Sequence, residues 1–351
     1  MDHTPTALIA MSGGVDSSVA AWLTQQQGLN CIGGTLRMFA KEGSDDVEDA
    51  RNVATRLKMP LHVFEASAQF REAVIEKFVR CYECGLTPNP CIDCNRHIKF
   101  DYLLQKALAF GCDYIVTGHY ARIRQDETTG RFLMFKAADI AKDQTYFLAC
   151  LSQEQLCHIR FPLGELTKTE VRRIAEEQGF LNARKRDSQD ICFVPDGDYM
   201  AFLEHFTGKN YPSGDYLDQN GNVVGKHRGA VAYTLGQRKG LGIAMGQPVY
   251  VCAKDMQRNT VTVGPNEALF HKALRASDWS WFPFQAPTGP IKVMAKARSR
   301  MTEQPATLYP EENGFYKVEF DEPQRAITPG QAVVLYDGDL VLGGGTIVEV
   351  L

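Results

Sequence analysis

No segment of this 351-residue chain is long and apolar enough to span a bilayer as a helix, which removes membrane functions from consideration. The build of a secretory leader is missing too: Met1 to Pro5 is short and polar and runs straight into an apolar stretch and a glycine loop, so a cytoplasmic location is expected. Positive charge is not in excess, since 38 Lys and Arg face 42 Asp and Glu for a net charge of −4. Phosphate affinity comes mainly from cations that neutralise the nucleic-acid backbone, so indiscriminate nucleic-acid binding is excluded and any RNA contact must use local patches. Four basic clusters could serve: Arg184, Lys185 and Arg186; Lys226, His227 and Arg228; Arg238 with Lys239; and Lys292, Lys296, Arg298 and Arg300. The plain alternative for each is solvated surface charge.

What is present is an ordinary soluble composition, 44% hydrophobic and 23% charged, in a chain long enough for two or three domains. No internal repeat or low-complexity tract interrupts it. The first part alternates strand-like and helix-like segments, as an open parallel sheet covered by helices requires. Ala7 to Met11, Cys31 to Met38, Leu61 to Glu65 and Tyr114 to Thr117 read as strands. Ser17 to Gln27 and Asp45 to Lys58 read as helices, and Phe70, Val74, Ile75, Phe78 and Val79 lie at helical spacing. Thr167 to Glu170 forms a capping box for a helix ending near Gly179. From Tyr211 onward short alternating segments are separated by turn signals at Asn220-Gly221, Pro265-Asn266, Asn313-Gly314 and Asp337-Gly338. The expected fold is α/β: a parallel-sheet nucleotide-binding domain over residues 1–207, a small central β-rich linker domain over 208–271, and a β-barrel-like domain over 272–351.

The run Ala10-Met11-Ser12-Gly13-Gly14-Val15-Asp16-Ser17-Ser18 follows the first strand and opens a helix. Free backbone N–H groups and the positive helix end converge there, which suits an anion. Two glycines let a phosphate approach the backbone, and three serines add donors. No lysine stands where a γ-phosphate-cleaving loop would have one. Such a loop suits gripping a pyrophosphate that departs as a unit, which favours adenylation over phosphoryl transfer. A glycine turn with Asp16 or Ser17 as a cap is the plain alternative. The loop resembles the PP-loop of the adenine-nucleotide α-hydrolase-like superfamily.

Ten cysteines in a large chain raise the question of thiol chemistry rather than disulfide scaffolding. Thr87-Pro88-Asn89-Pro90-Cys91-Ile92-Asp93-Cys94-Asn95 is stiffened by prolines and leads into a helix. Cys94 near the helix start and Cys192 after the basic run at 184–186 are both expected to have lowered thiol pKa values. Two such thiols can divide the work, one carrying a sulfane sulfur and the other resolving the persulfide as a disulfide. Cys31, Cys112, Cys150, Cys157 and Cys252 read as structural. Two metal readings stay open. Cys81-x-x-Cys84 with Cys91-x-x-Cys94 looks like a zinc ribbon with a short gap, and Cys91, Cys94 and Cys192 could hold three corners of an iron–sulfur cluster.

Together the motifs resemble the tRNA-specific 2-thiouridylase family from end to end. Beyond the glycine loop and the T-P-N-P segment, they include T-G-H-Y at 117–120, K-D-Q at 142–144, I-C-F around Cys192, T-L-G-Q-R-K-G-L-G at 234–242 and T-P-G-Q at 328–331. The resemblance implies that Cys192 carries a persulfide and Cys94 is the partner nucleophile. It implies ATP with Mg2+, with Ala10, Met11, Ser12, Gly13, Gly14, Val15, Asp16, Ser17, Leu36 and Gly118 around the nucleotide. It also puts Asn89, Pro90 and Cys91 at the target base, and His119, Lys142, Asp143, Gln144, Arg298, Ser299 and Gln331 against tRNA. Implied partners are the anticodon stem-loop of tRNA and a sulfur-donor protein, with the chain itself a monomer. One residue departs from the pattern, because many family members have an aspartate where this chain has Cys91. Asp93 or water could replace that carboxylate, or Cys91 could be a third sulfur ligand. A small-metabolite adenylating synthetase and a non-catalytic nucleotide-dependent RNA binder are the rival readings. Because an adenylated base hydrolyses in water, the segment around Cys192 is expected to close only over bound tRNA.

Overall fold

The computed structural model describes residues 4–39, 46–183, 185, 191–194 and 197–351. Four strands appear early, β1 (Thr6–Ala10), β2 (Asn30–Arg37), β3 (Leu61–Glu65) and β4 (Tyr114–Val116). A hairpin, β5 (Arg122–Gln125) and β6 (Phe132–Phe135), then precedes the two-residue β7 (Ile159–Arg160). The first sheet has the order β3-β2-β1-β4-β7 and is parallel throughout. Alternate residues of β1 face opposite sides: Ala7 and Ile9 join one apolar core, while Leu8 joins another. The strand order reverses beside β1, so the ends of β1 and β4 flank the crevice where ligands of such sheets bind.

Helix Val15–Gln26 follows β1, and helix Asp46–Arg56 leads to β3. Residues 67–83 run as one helix with a π-helical stretch at Arg71–Glu76, and residues 90–109 as another with a π-helical stretch at Cys94–Tyr102. Strand Leu61–Glu65 and the Thr167 to Glu170 capping box stand where the sequence puts them. The π stretches have no counterpart in the sequence reading.

The second sheet comprises β8 (Gly214–Leu217), β9 (Val223–His227), β10 (Tyr250–Asp255) and β11 (Thr260–Gly264), in the order β10-β11-β8-β9. The last six strands are β12 (Phe270–Trp281), β13 (Ile291–Lys296), β14 (Gln304–Pro310), β15 (Tyr316–Arg325), β16 (Ala332–Asp337) and β17 (Leu340–Val350). They run β12-β15-β14-β13-β16-β17 and close through β12–β17 pairing, from Leu274↔Val350 to Trp281↔Gly343. Closure removes the open edges that a flat sheet would leave.

The hairpin β5–β6 was not anticipated. Although it belongs to the N-terminal half of the chain, β6 pairs with β17 at Leu340↔Phe135 and Val341↔Met134 and so extends the barrel sheet. Met134 is fully buried in a core that also contains Leu8 and Ile115 from the parallel sheet and Val334, Tyr336 and Val341 from the barrel. Met134→Ala should therefore destabilise by about 2–5 kcal/mol. Urea midpoints followed at Trp22 in the first domain and at Trp279 and Trp281 in the barrel are expected to fall together, whereas independent shifts would show that the two units do not share a core.

Candidate active site

Gly14 precedes helix Val15–Gln26 with no side-chain cap, and Gly13 has the left-handed φ of 68°. The first N–H groups are thus left to a ligand. Ser17 and Ser18 hydroxyls donate to the Gly14 carbonyl at 3.0 and 2.9 Å, which fixes the loop from inside. Asn182 braces it from outside, its Nδ2 donating to Gly13 O at 3.0 Å and Ser18 Oγ at 2.9 Å. Gly118, just after β4, abuts the same loop: a Cβ there would lie 2.6 Å from the Asp16 carbonyl carbon and 2.8 Å from Ser17 N. The cation missing from the loop sequence comes from elsewhere, because Lys168 Nζ donates to both Asp16 oxygens at 2.7 and 2.8 Å. Tyr120 OH also donates to Asp16, at 2.9 Å. The capping box located the start of the Lys168 helix, but nothing in the spacing said which loop that helix faces.

The thiols occupy the neighbouring wall. Asn89 Oδ1 accepts the Cys91 N–H at 3.2 Å, and Pro90 takes the first helical position, so T-P-N-P becomes a helix start. Cys94 lies in the first turns and is buried, whereas Cys91 is exposed. Cys192 presents surface as a residue, and its thiol is near enough to Cys94 and Cys91 for their ionisation to raise its pKa. What holds it is the next side chain. Phe193 is buried with its ring 5.2 Å from Phe78, 5.8 Å from Phe70 and 5.2 Å from Phe202. Val194 shares that core. The structure thus brings together the two cysteines that the sequence places far apart. The described part of the Cys192 segment is seated through Phe193 and Val194. Residues 186–190 lie outside the described residues.

The expectation of lowered thiol pKa values is overturned. Burial pushes Cys94 up and Cys192 to about 11, with the other thiols adding to the Cys192 shift. Cys91 leaves part of its residue surface open, yet the protein around its thiol desolvates it and raises its pKa as well. Arg184 and Arg186 are outside the described residues, and Lys185 is engaged by Asp49 at 2.8 Å. Among the described residues, only Lys99 is common to all three thiols as an opposing charge. In a π-helix, whose hydrogen bonds span five residues, position 99 returns to the face of position 94. Asp93 is buried and its carboxylate accepts from Lys77 Nζ at 2.6 Å; burial raises its pKa while Lys77 opposes the rise. Its carboxylate is tied to that lysine. Among the described residues no group of three or more His, Cys, Asp or Glu is placed to hold a metal ion.

His119 connects the two walls. Its Nδ1 lies 2.7 Å from Thr117 Oγ1, its ring packs 5.6 Å from Phe100 and 5.7 Å from Phe161, and burial keeps it neutral, with Lys99 adding to that effect. Leu36 is partly buried against the parallel-sheet core. The K-D-Q side chains turn inward: Asp143 accepts from Ala137 N at 3.0 Å and Thr145 Oγ1 at 2.6 Å, and Gln144 Oε1 accepts the Tyr120 N–H at 2.9 Å. Lys142, just before them, is half-buried. Arg298 donates to Ala326 O at 2.8 Å and Leu235 O at 3.1 Å and to Thr328 Oγ1. With Thr87, Thr234, Ser299, Arg300, Thr328 and Gln331 it lines a cavity of about 200 Å³ where the three domains meet.

A glycine loop opening a helix beside the point where a parallel sheet reverses its strand order, followed along the chain by a second sheet and a closed barrel, defines a multidomain protein of the nucleotide-binding α/β class. Three family models match in succession: the tRNA methyl transferase HUP domain over 6–196, the tRNA methyl transferase PRC-barrel domain over 200–265 and the aminomethyltransferase beta-barrel domain over 271–347. The tRNA-specific 2-thiouridylase of Clostridioides difficile is 46% identical over 97% of this chain and 97% of its own length. That of Heliobacterium modesticaldum is 49% identical over 98% of this chain and 92% of its own. That of Moorella thermoacetica is 48% identical over 98% of this chain and 99% of its own. This chain belongs to the tRNA-specific 2-thiouridylase family.

Two outcomes test the site. Gly118→Ala drives a methyl group into the loop backbone, a misfit of about 1–3 kcal/mol, so ATP affinity measured by calorimetry should fall about tenfold with the circular dichroism unchanged. The thiolate is the reactive form, so a raised pKa means slow reaction near neutrality and acceleration as pH rises. With Cys84 and Cys91 replaced by serine, Cys192 alkylation should still be climbing at about pH 10, and Lys99→Met should displace the profile further upward. A plateau below about pH 9 would contradict the burial argument.

Proposed function

We propose that this chain is an ATP-dependent tRNA-uridine 2-sulfurtransferase acting on the wobble uridine of the anticodon stem-loop. The observation that carries the reading is that Cys192 comes near Cys94, which stands on the helix whose Phe100 packs 5.6 Å from His119, the neighbour of the Gly118 that abuts the glycine loop. The names of the relatives point the same way. A methyl-transfer reading, suggested by the wording of the family models, leaves the paired thiols without work, as does a synthetase for a small metabolite.

Uracil C2=O is a poor electrophile with a poor leaving group. Moving AMP from ATP to O2 makes that oxygen part of a phosphate leaving group, with pyrophosphate received by the N–H groups of residues 13–18. Mg2+ accompanying ATP would neutralise the departing charge, and Asp16, whose side chain keeps 31% of its surface open, is the carboxylate beside the loop. The terminal sulfur of a Cys192 persulfide then bonds to C2 as AMP leaves. Attack of the Cys94 thiolate on Cys192 Sγ breaks the S–S bond, leaves its electron pair on the sulfur now attached to C2, and forms a Cys94–Cys192 disulfide. In the alternative order, Cys94 first releases the terminal sulfur as sulfide. Either way an external reductant restores the thiols and a sulfur-donor protein reloads Cys192. Asn89, Pro90 and Cys91 border the base in this reading, and residues 1–207, 208–271 and 272–351 act as catalytic, linker and RNA-facing units of a cytoplasmic monomer. No step here passes through an iron–sulfur cluster on Cys91, Cys94 and Cys192.

Protein purified anaerobically and assayed free of iron should thiolate tRNA. Cys192→Ser and Cys94→Ser should each reduce 2-thiouridine formation by about a thousandfold or more, while tRNA-dependent pyrophosphate release persists because activation precedes sulfur transfer. Full thiolation by Cys192→Ser would sink the proposal, and activity that requires iron would restore the cluster.

A further inference from the structure

Gln331 belongs to the barrel, but its side-chain amide is committed to the catalytic domain. Nε2 donates to the carbonyl oxygens of Thr87 at 2.7 Å and Pro88 at 3.3 Å. The Thr87 N–H in return donates to Pro329 O at 3.0 Å. Close approach is built in at Gly330, whose φ of 91° favours glycine and where a Cβ would stand 3.0 Å from Thr87 N and 3.1 Å from Leu86 Cβ. The turn is itself fixed: Gly330 N–H donates to Ile347 O and Ile347 N–H to Gln331 O, both at 2.8 Å. Arg298 ties it to the central domain through Leu235 O at 3.1 Å.

The clamped segment has an unusual need. Pro88 and Pro90 have no N–H, so the stretch entering the helix of Cys91 and Cys94 cannot anchor itself by a backbone ladder and takes its donors from another domain. Thr87 also keeps a buried hydroxyl without a hydrogen-bond partner beside the three-domain cavity, which marks the segment as held by the turn rather than by its own side chains.

We infer that the Thr328–Gln331 turn of the barrel sets the register of the Thr87–Pro90 segment against Cys94, with Gln331 a positioning residue for sulfur transfer. The last clause rests on the proposed function; the latch itself does not. The family resemblance makes Gln331 a tRNA contact, and the two roles separate kinetically. A contact residue, once changed, weakens tRNA binding and raises KM, whereas a positioning residue lowers kcat with the RNA still bound.

Gln331→Met keeps the length and apolar stem and removes the donor. In the full chain it should lower kcat for thiolation about tenfold, with KM for tRNA within about twofold of wild type. Amide hydrogen exchange in peptides covering 85–93 should quicken while the barrel strands stay protected. Gly330→Ala, which keeps the amide but pushes the turn off Thr87, should reproduce both effects. A raised KM at unchanged kcat, or unaltered exchange over 85–93 in both variants, overturns the inference. If wild-type protein thiolates no tRNA, the proposed function fails while the exchange measurement still decides whether the latch exists.

Discussion

Phe193 packs edge-on against Phe78 and Phe70, and this contact between a late segment and the helix of residues 67–83 holds Cys192 beside Cys94. Burying an aromatic side chain is worth several kcal/mol, far more than a surface ion pair, so the position of the thiol is set by packing rather than by its own polar contacts. That packing also explains why Cys192 lies next to a bulky aromatic residue in I-C-F: the thiol and its anchor are one step apart on the chain.

The same burial decides the electrostatics. Desolvation raises all three thiols, and one lysine works against it. A persulfide is more acidic than a thiol as a matter of sulfur chemistry, so a cleft that keeps resting thiols protonated can still favour the loaded form as the anion. Low thiolate content at rest also limits adventitious oxidation, which follows thiolate character. The cleft is therefore suited to a sulfur that is delivered rather than to a cysteine that is permanently activated.

Much of this was legible in the residues. The glycine loop stands between an apolar strand and a helix, as its residues suggest, and the Thr167 capping box fixed a helix start because its hydrogen bonds are local. What escaped has a common cause, namely dependence on which distant elements meet. Lys168 reaches Asp16 across most of the domain, and nothing near either residue announces the pair. Helix π stretches have no composition signature, so the alignment of Lys99 with Cys94 was invisible, and reasoning from the helix start for Cys94 and from the basic run for Cys192 gave the wrong sign because burial outweighs both. The hairpin β5–β6 did leave a trace, Thr129-Gly130 between alternating segments, but its partner strand lies two hundred residues away. Several residues singled out for tRNA by resemblance turn out to be engaged inside the protein, Asp143 and Gln144 among them.

That last pattern bears on why the chain needs a barrel at all. If the C-terminal domain were only a platform for RNA shape, it could hang from a flexible linker, as domains with small polar interfaces do. Instead β6 is a strand of its sheet, Met134 lies in a core that the barrel shares with the parallel sheet, and the T-P-G-Q turn grips the segment that starts the cysteine helix. A barrel fixed at both points cannot shift on binding a long RNA without transmitting force to Pro88 and Asn89. Under the proposed mechanism the architecture makes the geometry of Cys94 and Cys192 depend on the domain that lies farthest along the chain, which is the arrangement an enzyme needs if it is to do its chemistry on one nucleotide of a large substrate and spare free ones.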